Sequence, residues 1–432
     1  NDANRSIASL TVNSGATLLG ESVTLTIVSE GTSTEGTNGF AVGIDGIISG
    51  NLDLEIQTPA ATNIDLKATS GNVRHVTINH ASCAAAIAGG FMTITGNLTI
   101  TAGSLNTGGN DLTVAGHVTN NGTLTLNGST VNLGSTSTEA GDFQGSGTFN
   151  LDTSTINFHT AGGANFIPST SANFDTNTST LNLIGLNGSN RAHNFTFASG
   201  NMHNITTSRG AGTDTHTDTL NGNCTITGNL TVGANSNFSS GTRVFTVNGD
   251  VDVTGQLISN GSNKPMTFKS LTIASGGTYS ATSGTTTITS ETSGGFAMVD
   301  QGTFTHNNGT VQIGDGSTAV GSGTHTKVDT FYNLTVNMSA SSVDAILRPN
   351  SGSTVTVAND LTVTQGEVYR NNVSDTLTVT GDVDIAANGT LGRTNDTGAT
   401  NFGSLTIASG GTYQATSGTT TITDETSGGY GL

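Results

Sequence analysis

The stretch Ser270 to Met298, SLTIASGGTYSATSGTTTITSETSGGFAM, returns at Ser404 to Leu432 as SLTIASGGTYQATSGTTTITDETSGGYGL, identical at 24 of 29 positions. A chain built by tandem duplication is constrained to an architecture in which each unit buries its apolar face against the next. Ser9 to Leu18 aligns with Ser270 to Tyr279, with Glu30 and Phe40 standing in for Glu291 and Phe296, so start and end fall in the same phase. A longer unit runs between them. Asn97-Leu98-Thr99-Ile100, Asn229-Leu230-Thr231-Val232 and Asp360-Leu361-Thr362-Val363 place their leucines 132 and 131 residues apart. Each is followed by a Gly-polar-Val step: Gly116-His117-Val118, Gly249-Asp250-Val251 and Gly381-Asp382-Val383. The repeat units run approximately 1–95, 96–227, 228–358 and 359–432, the last truncated, within one continuous body over 1–432.

Beneath the long repeat lies a short one, an apolar residue followed seven and nine positions later by two more. Examples are Leu105/Leu112/Val114, Leu124/Val131/Leu133, Phe149/Ile156/Phe158 and Phe304/Val311/Ile313. Tyr279/Thr286/Ile288 and Tyr413/Thr420/Ile422 carry Thr in the middle slot. The last two slots alternate with a polar residue, the period of a strand with one buried face. The first belongs to a separate strand across a Gly, Asn or Ser turn.

Short strands and frequent turns without a helical stripe also suit an antiparallel sandwich, but like units stack best with equivalent strands directly over one another in parallel. The expected fold is all-β, a right-handed parallel β-helix or solenoid forming one elongated rod. Coils of roughly 20 residues would make a rod of about 100 Å. Equivalent buried positions for Leu98, Leu230 and Leu361 follow from this register.

The apolar content of 33% is low and 60 residues are Gly, yet only 10% are charged. Disorder normally needs high charge as well, whereas a thin coil needs few apolar residues. A formal charge of −18 with 12 Lys and Arg argues against nucleic acid, which is bound through clustered cations, and against an anionic membrane surface. No run of 18 apolar residues exists to span a bilayer. Asn1 opens no signal peptide and the repeat runs into Leu432, which suggests a processed chain or a piece of a longer array. On that reading a coil end offers unpaired N–H and C=O groups to another copy, or to the continuation of a longer chain, head to tail.

Chemical candidates are sparse. Cys83 and Cys224 read as buried free thiols. Asp250/Asp252 and Asp382/Asp384 sit two apart, so each carboxylate pair projects from one strand face; calcium and a solvated face are the two readings. His75, His80, His117, His159, His193, His203, His216, His306 and His325 form no metal-ligand spacing and read as surface loop residues. No Gly-x-Ser-x-Gly elbow anchors a triad. Thr285/Thr287/Thr289 and Thr419/Thr421/Thr423 form Thr-x-Thr rows, read either as an ice-binding face or as β-propensity with solubility. Asn97-Leu98-Thr99, Asn229-Leu230-Thr231 and Asn333-Leu334-Thr335 are glycosylation triplets; as turn residues their Asn would tolerate a left-handed backbone or stack into side-chain ladders. No Trp and five Tyr leave few stacking platforms for sugars. No catalytic, cofactor-binding or metal residue is assigned, and no cofactor is expected.

The NLTV, SLTIASGGTY and GTFTHNNGTVQIG phrases resemble the degenerate repeats of large bacterial surface adhesins and of phage fibres with parallel β-helix shafts. The resemblance covers nearly the whole chain. It implies a rod on a cell or virion surface, and no residue can be carried over from it. The expected role is a non-enzymatic extracellular shaft or filament subunit; the alternative is a tail fibre, tailspike or adhesin that binds or cleaves surface glycans.

Overall fold

The computed structural model describes residues 5–28, 42–57, 63–134, 141–160, 165–168, 173–185, 192–195, 201–209, 216–259, 261–317 and 324–425. Glu30 and Phe40 lie outside them. The described residues are strands and turns without a helix, so among them no helix is long and apolar enough to cross a membrane. They form a parallel β-solenoid, in two compact units, Asn1–Asn223 and Cys224–Leu432.

In the first unit the seven-and-nine repeat becomes stacking. Leu105, Leu124 and Phe149 pair in register in successive coils. The following slots stack as Leu112, Val131, Ile156, Leu181 and Ile205. A further column runs Ile27, Ile56, Ile78, Ile100. All these side chains are buried, and each contributes roughly 1.5–3 kcal/mol. Alternate residues face outward, where Asn157 Nδ2 donates to Asn132 Oδ1 and Asn182 Nδ2 to Asn157 Oδ1, both at 2.9 Å. The turns use Asn127 and Gly128 at φ 46° and 80° and Asp152 at φ 51°, a left-handed backbone that such residues adopt at least cost. Coil length is not uniform, being 19 residues from Thr113 to Asn132 and 25 from Asn132 to Asn157.

The second unit has three ladders of strands. The first face runs inward through Cys224, Phe245, Met266, Thr286, Val311, Leu334, Leu361, Val383 and Leu405. A second runs through Leu230, Val251, Leu271 and Met298, then Thr326, Leu347 and Arg370. The third holds Phe238, Leu257, Tyr279 and Phe304, then a separate five-stranded ladder including Val355, Leu377 and Thr400.

These ladders correct one expectation. Leu98, Leu230 and Leu361 are all fully buried, but Leu230 and Leu361 lie on different faces. The duplicated phrase shifts as a whole. Its first copy puts Leu271 on the second face, Tyr279 on the third and Thr286 on the first. Its second puts Leu405 on the first face, Tyr413 on the second, above Leu391, and Thr420 on the third, above Thr400. Between these two copies the repeat therefore does not span a whole number of coils, and the second is turned by one face from the first.

Candidate functional site

The least expected feature is a chain of side-chain staples at the coil corners. In the first unit Asn97 N donates to His75 Nδ1 at 2.9 Å, and His117 N to Asn97 Oδ1 at 2.9 Å. Asp142 N donates to His117 Nδ1 at 3.1 Å, and Asn165 N to Asp142 Oδ1 at 2.9 Å. Each side chain accepts the backbone N–H of its counterpart one coil on. Each staple therefore satisfies a backbone donor where the chain enters the next strand.

The second unit repeats the device at two corners. Asp250 N donates to Asn229 Oδ1 at 2.9 Å, and Ser270 Oγ to Asp250 Oδ1 at 2.7 Å. Asp360 N donates to Asn333 Oδ1 at 3.2 Å, Asp382 N to Asp360 Oδ1 at 3.0 Å, and Ser404 Oγ to Asp382 Oδ1 at 2.5 Å. The glycine of each Gly-polar-Val step is explained by the same contacts. A Cβ on Gly116, Gly249 or Gly381 would stand 2.2, 2.2 or 2.3 Å from the stapling oxygen of Asn97, Asn229 or Asp360.

The asparagines of the NLT triplets are thus acceptors in a cross-coil hydrogen bond. None of Asn97, Asn229 and Asn333 has a left-handed backbone; that conformation belongs to Asn127, Asn177, Asn235, Asn307, Asn308 and Asn395. The surface-loop reading of the histidines fails at His75, which lies in a strand and acts as a staple, whereas His117 is a staple at an exposed corner outside the strands. It fails again at His216, whose ring is buried and whose Nε2 lies 2.7 Å from Asp218 Oδ1. His193 belongs to the strand Ala192–Phe195, and its side chain lies outside what is described. The signal available in sequence is an Asn, Asp, His or Ser directly before the first buried residue of a strand; its partner, some 20 positions away, carries no mark.

The paired aspartates lie on the second face at Asp250/Asp252 and on the first at Asp382/Asp384. Asp250 also accepts from Lys269 Nζ at 3.0 Å. Desolvation by neighbouring coils, then the charge of Asp250, hold the Asp252 carboxyl above its usual range; desolvation, then Asp382, do the same to Asp384. Among the described residues no three His, Cys, Asp or Glu side chains converge to hold a metal ion. Cys83 and Cys224 are buried and form no disulfide, and burial pushes the Cys224 thiol up to about 12.

Two further features are seen only once the coils are stacked. Arg370 occupies an inward slot paired with Leu347 and is 3% exposed. Its guanidinium donates to the carbonyls of Asp375, Gly398 and Ala399, to Thr400 Oγ1 at 3.1 Å and to Asp396 Oδ2 at 3.1 Å. It is an interior cross-brace. The second is a column of outward threonines on the first face: Thr225, Thr246, Thr267 and Thr287, then Gln312, Thr335, Thr362, Asp384 and Thr406. Thr287 of the Thr-x-Thr rows belongs to it, whereas Thr286 points inward. No family model, curated protein or solved structure matches the chain.

Proposed function

We propose that this protein is a non-enzymatic structural shaft of an extracellular, cell-surface or virion-surface assembly, and that its task is mechanical. The observation that carries this reading is the investment of its polar side chains in cross-coil bonds. Asn, Asp, His and Ser at the corners are occupied in joining one coil to the next, as is the buried Arg370. Separating two coils along the axis breaks a whole ladder of main-chain bonds together with these staples. Axial pairing with another copy, or with further coils of a longer polypeptide, belongs to the same proposal, because a coil edge offers the row of N–H and C=O groups that described coils already use.

The test is incubation of the purified protein with acidic and neutral polysaccharides, alongside single-molecule stretching. The expected outcome is unchanged polysaccharide and stepwise unfolding at high force. Release of defined oligosaccharides, abolished by one Asp or Glu substitution, would overturn the reading in favour of a tailspike-type enzyme.

A further inference from the structure

Among the described residues of the second unit, each coil pairs with the next on all three faces, with one exception. All three ladders cross the joints before it and the joints after it. At the exception the first-face strands Thr285–Ile288 and Thr310–Ile313 pair in full. On the second face Phe296–Asp300 pairs with Thr324–Lys327, but the register slips between Phe296 and Met298. On the third face the ladder stops. Thr303–Thr305 pairs only with the preceding strand Thr278–Ser280, and Thr330–Phe331 only with the following strand Thr354–Val357, in a separate sheet.

The short repeat explains the gap. Before the joint its seven-residue step crosses from the third face to the first, at Tyr279/Thr286 and Phe304/Val311. After it the same step crosses from the second face to the third, at Arg370/Leu377 and Tyr413/Thr420. Third-face strands on the two sides therefore come from different parts of the repeat. Several local costs gather here. Leu257 and Tyr279 are fully buried on the third face, whereas Phe304 is half-buried and Thr303, Thr305 and Thr330 are exposed. Thr303 N donates to Gly277 O, so the alternation of a parallel ladder sends the N–H and C=O of Phe304 towards the next coil, where no strand pairs with them. Thr326 fills an inward slot with its hydroxyl buried and without a hydrogen-bond partner. Desolvation, with the charge of Asp329 adding to it, holds the Asp300 carboxyl above its usual range.

We propose that this joint is a built-in line of opening, at which the second unit parts before it parts at any other joint. Elsewhere three ladders must break together. Here two must break, one of them slipped, and water admitted by the opening satisfies Thr326 Oγ1 and solvates Asp300. The full first-face ladder and the His306 and Tyr332 rings, stacked across the joint at 5.3 Å, keep the two coils attached, so the opening is local and reversible. Under load such a line makes the shaft yield at a fixed place and leaves the coils on either side folded. That use rests on the mechanical reading above, whereas the opening itself does not.

The experiment is hydrogen–deuterium exchange of the full chain under native conditions, read on fragments by mass spectrometry. Fragments carrying Phe296–Asp300 and Thr324–Lys327 should exchange faster than those carrying Phe245–Val253 and Leu361–Arg370. The expected ratio is at least about tenfold, equivalent to about 1.4 kcal/mol less to open. Thr326→Val removes the stranded hydroxyl at nearly constant shape. Asp300→Asn removes the like charge and keeps the acceptor for the Gly302 N–H. Each should slow the fast fragments by about threefold or more. Thr267→Val, outward at a joint with three ladders, should leave them as they are. Equal exchange at all joints, fast exchange that neither Thr326→Val nor Asp300→Asn slows, or equal slowing by Thr267→Val would overturn the proposal. Cleavage of polysaccharide would remove the mechanical reading and leave this result standing.

Discussion

At the scale of single residues, the determining relation is between a glycine and an acceptor one coil away. Gly249 lies under Asn229, and a Cβ there would also stand 2.3 Å from the carbonyl oxygen of Gly228. Backbone cannot rotate away, so the strain falls on the corner itself. Gly249→Ala should cost about 1–3 kcal/mol, as overpacking does, and weaken the bond from Asp250 N to Asn229. Chemical denaturation of that variant checks it, with Gly276→Ala as the comparison. Gly276 is at φ 84° with nothing within 4 Å of a Cβ, so its cost is conformational alone and about 1–2 kcal/mol. The Gly-polar-Val step was legible in the sequence as a recurrence. Its reason was not, because the oxygen that excludes a Cβ belongs to another coil.

Between elements, the two exceptional members of the short repeat explain each other. Wherever Tyr replaces Phe in the first slot, Thr replaces an aliphatic residue in the second. Tyr279 Oη and Thr286 Oγ1 are 2.7 Å apart, and Tyr413 Oη and Thr420 Oγ1 are 3.0 Å apart. Tyr279 is fully buried, and that burial raises its phenol well above the usual range. Removing the tyrosine hydroxyl strands Thr286 Oγ1 without water, and removing the threonine hydroxyl leaves Tyr279 Oη only its weaker bond to Met266 Sδ at 3.3 Å. Tyr279→Phe and Thr286→Val should each cost about 1–3 kcal/mol. The double variant restores the Phe/Val pair that stands at Phe304 and Val311 and should lose much less than the sum. A double-mutant cycle measured by denaturant unfolding reads this directly; additive losses would show that the two hydroxyls are not coupled. The seven-residue spacing was visible from the start, but the bond that ties Tyr to Thr required knowing that both side chains point into one interior.

For the whole molecule, the duplicated phrase works on whichever face it falls. Ser270 meets Asp250 on the second face and Ser404 meets Asp382 on the first, with the same bond between them. The phrase carries its own corner staple and its own Tyr–Thr pair, so the local environment it needs is short-ranged. A chain in which Ser404 directly follows Lys269 should fold, with Ser404 bonded to Asp250 and the strand Ser404–Ile407 taking the place of Leu271. Circular dichroism and proteolysis of that shortened chain would test it, and a chain left unfolded would show that face identity matters more than the phrase. The alternation of apolar and polar residues, the turn residues and the tandem repeat were enough by themselves to determine parallel coils and the inward apolar slots, though not the inward Arg370, because both depend on spacings of a few residues. The face each copy occupies, the pairing of staples and the break in the third ladder after Phe304 were decided only in the tertiary structure. Coil length varies with residues added in the turns, so register accumulates over many coils and no short stretch of sequence records its sum.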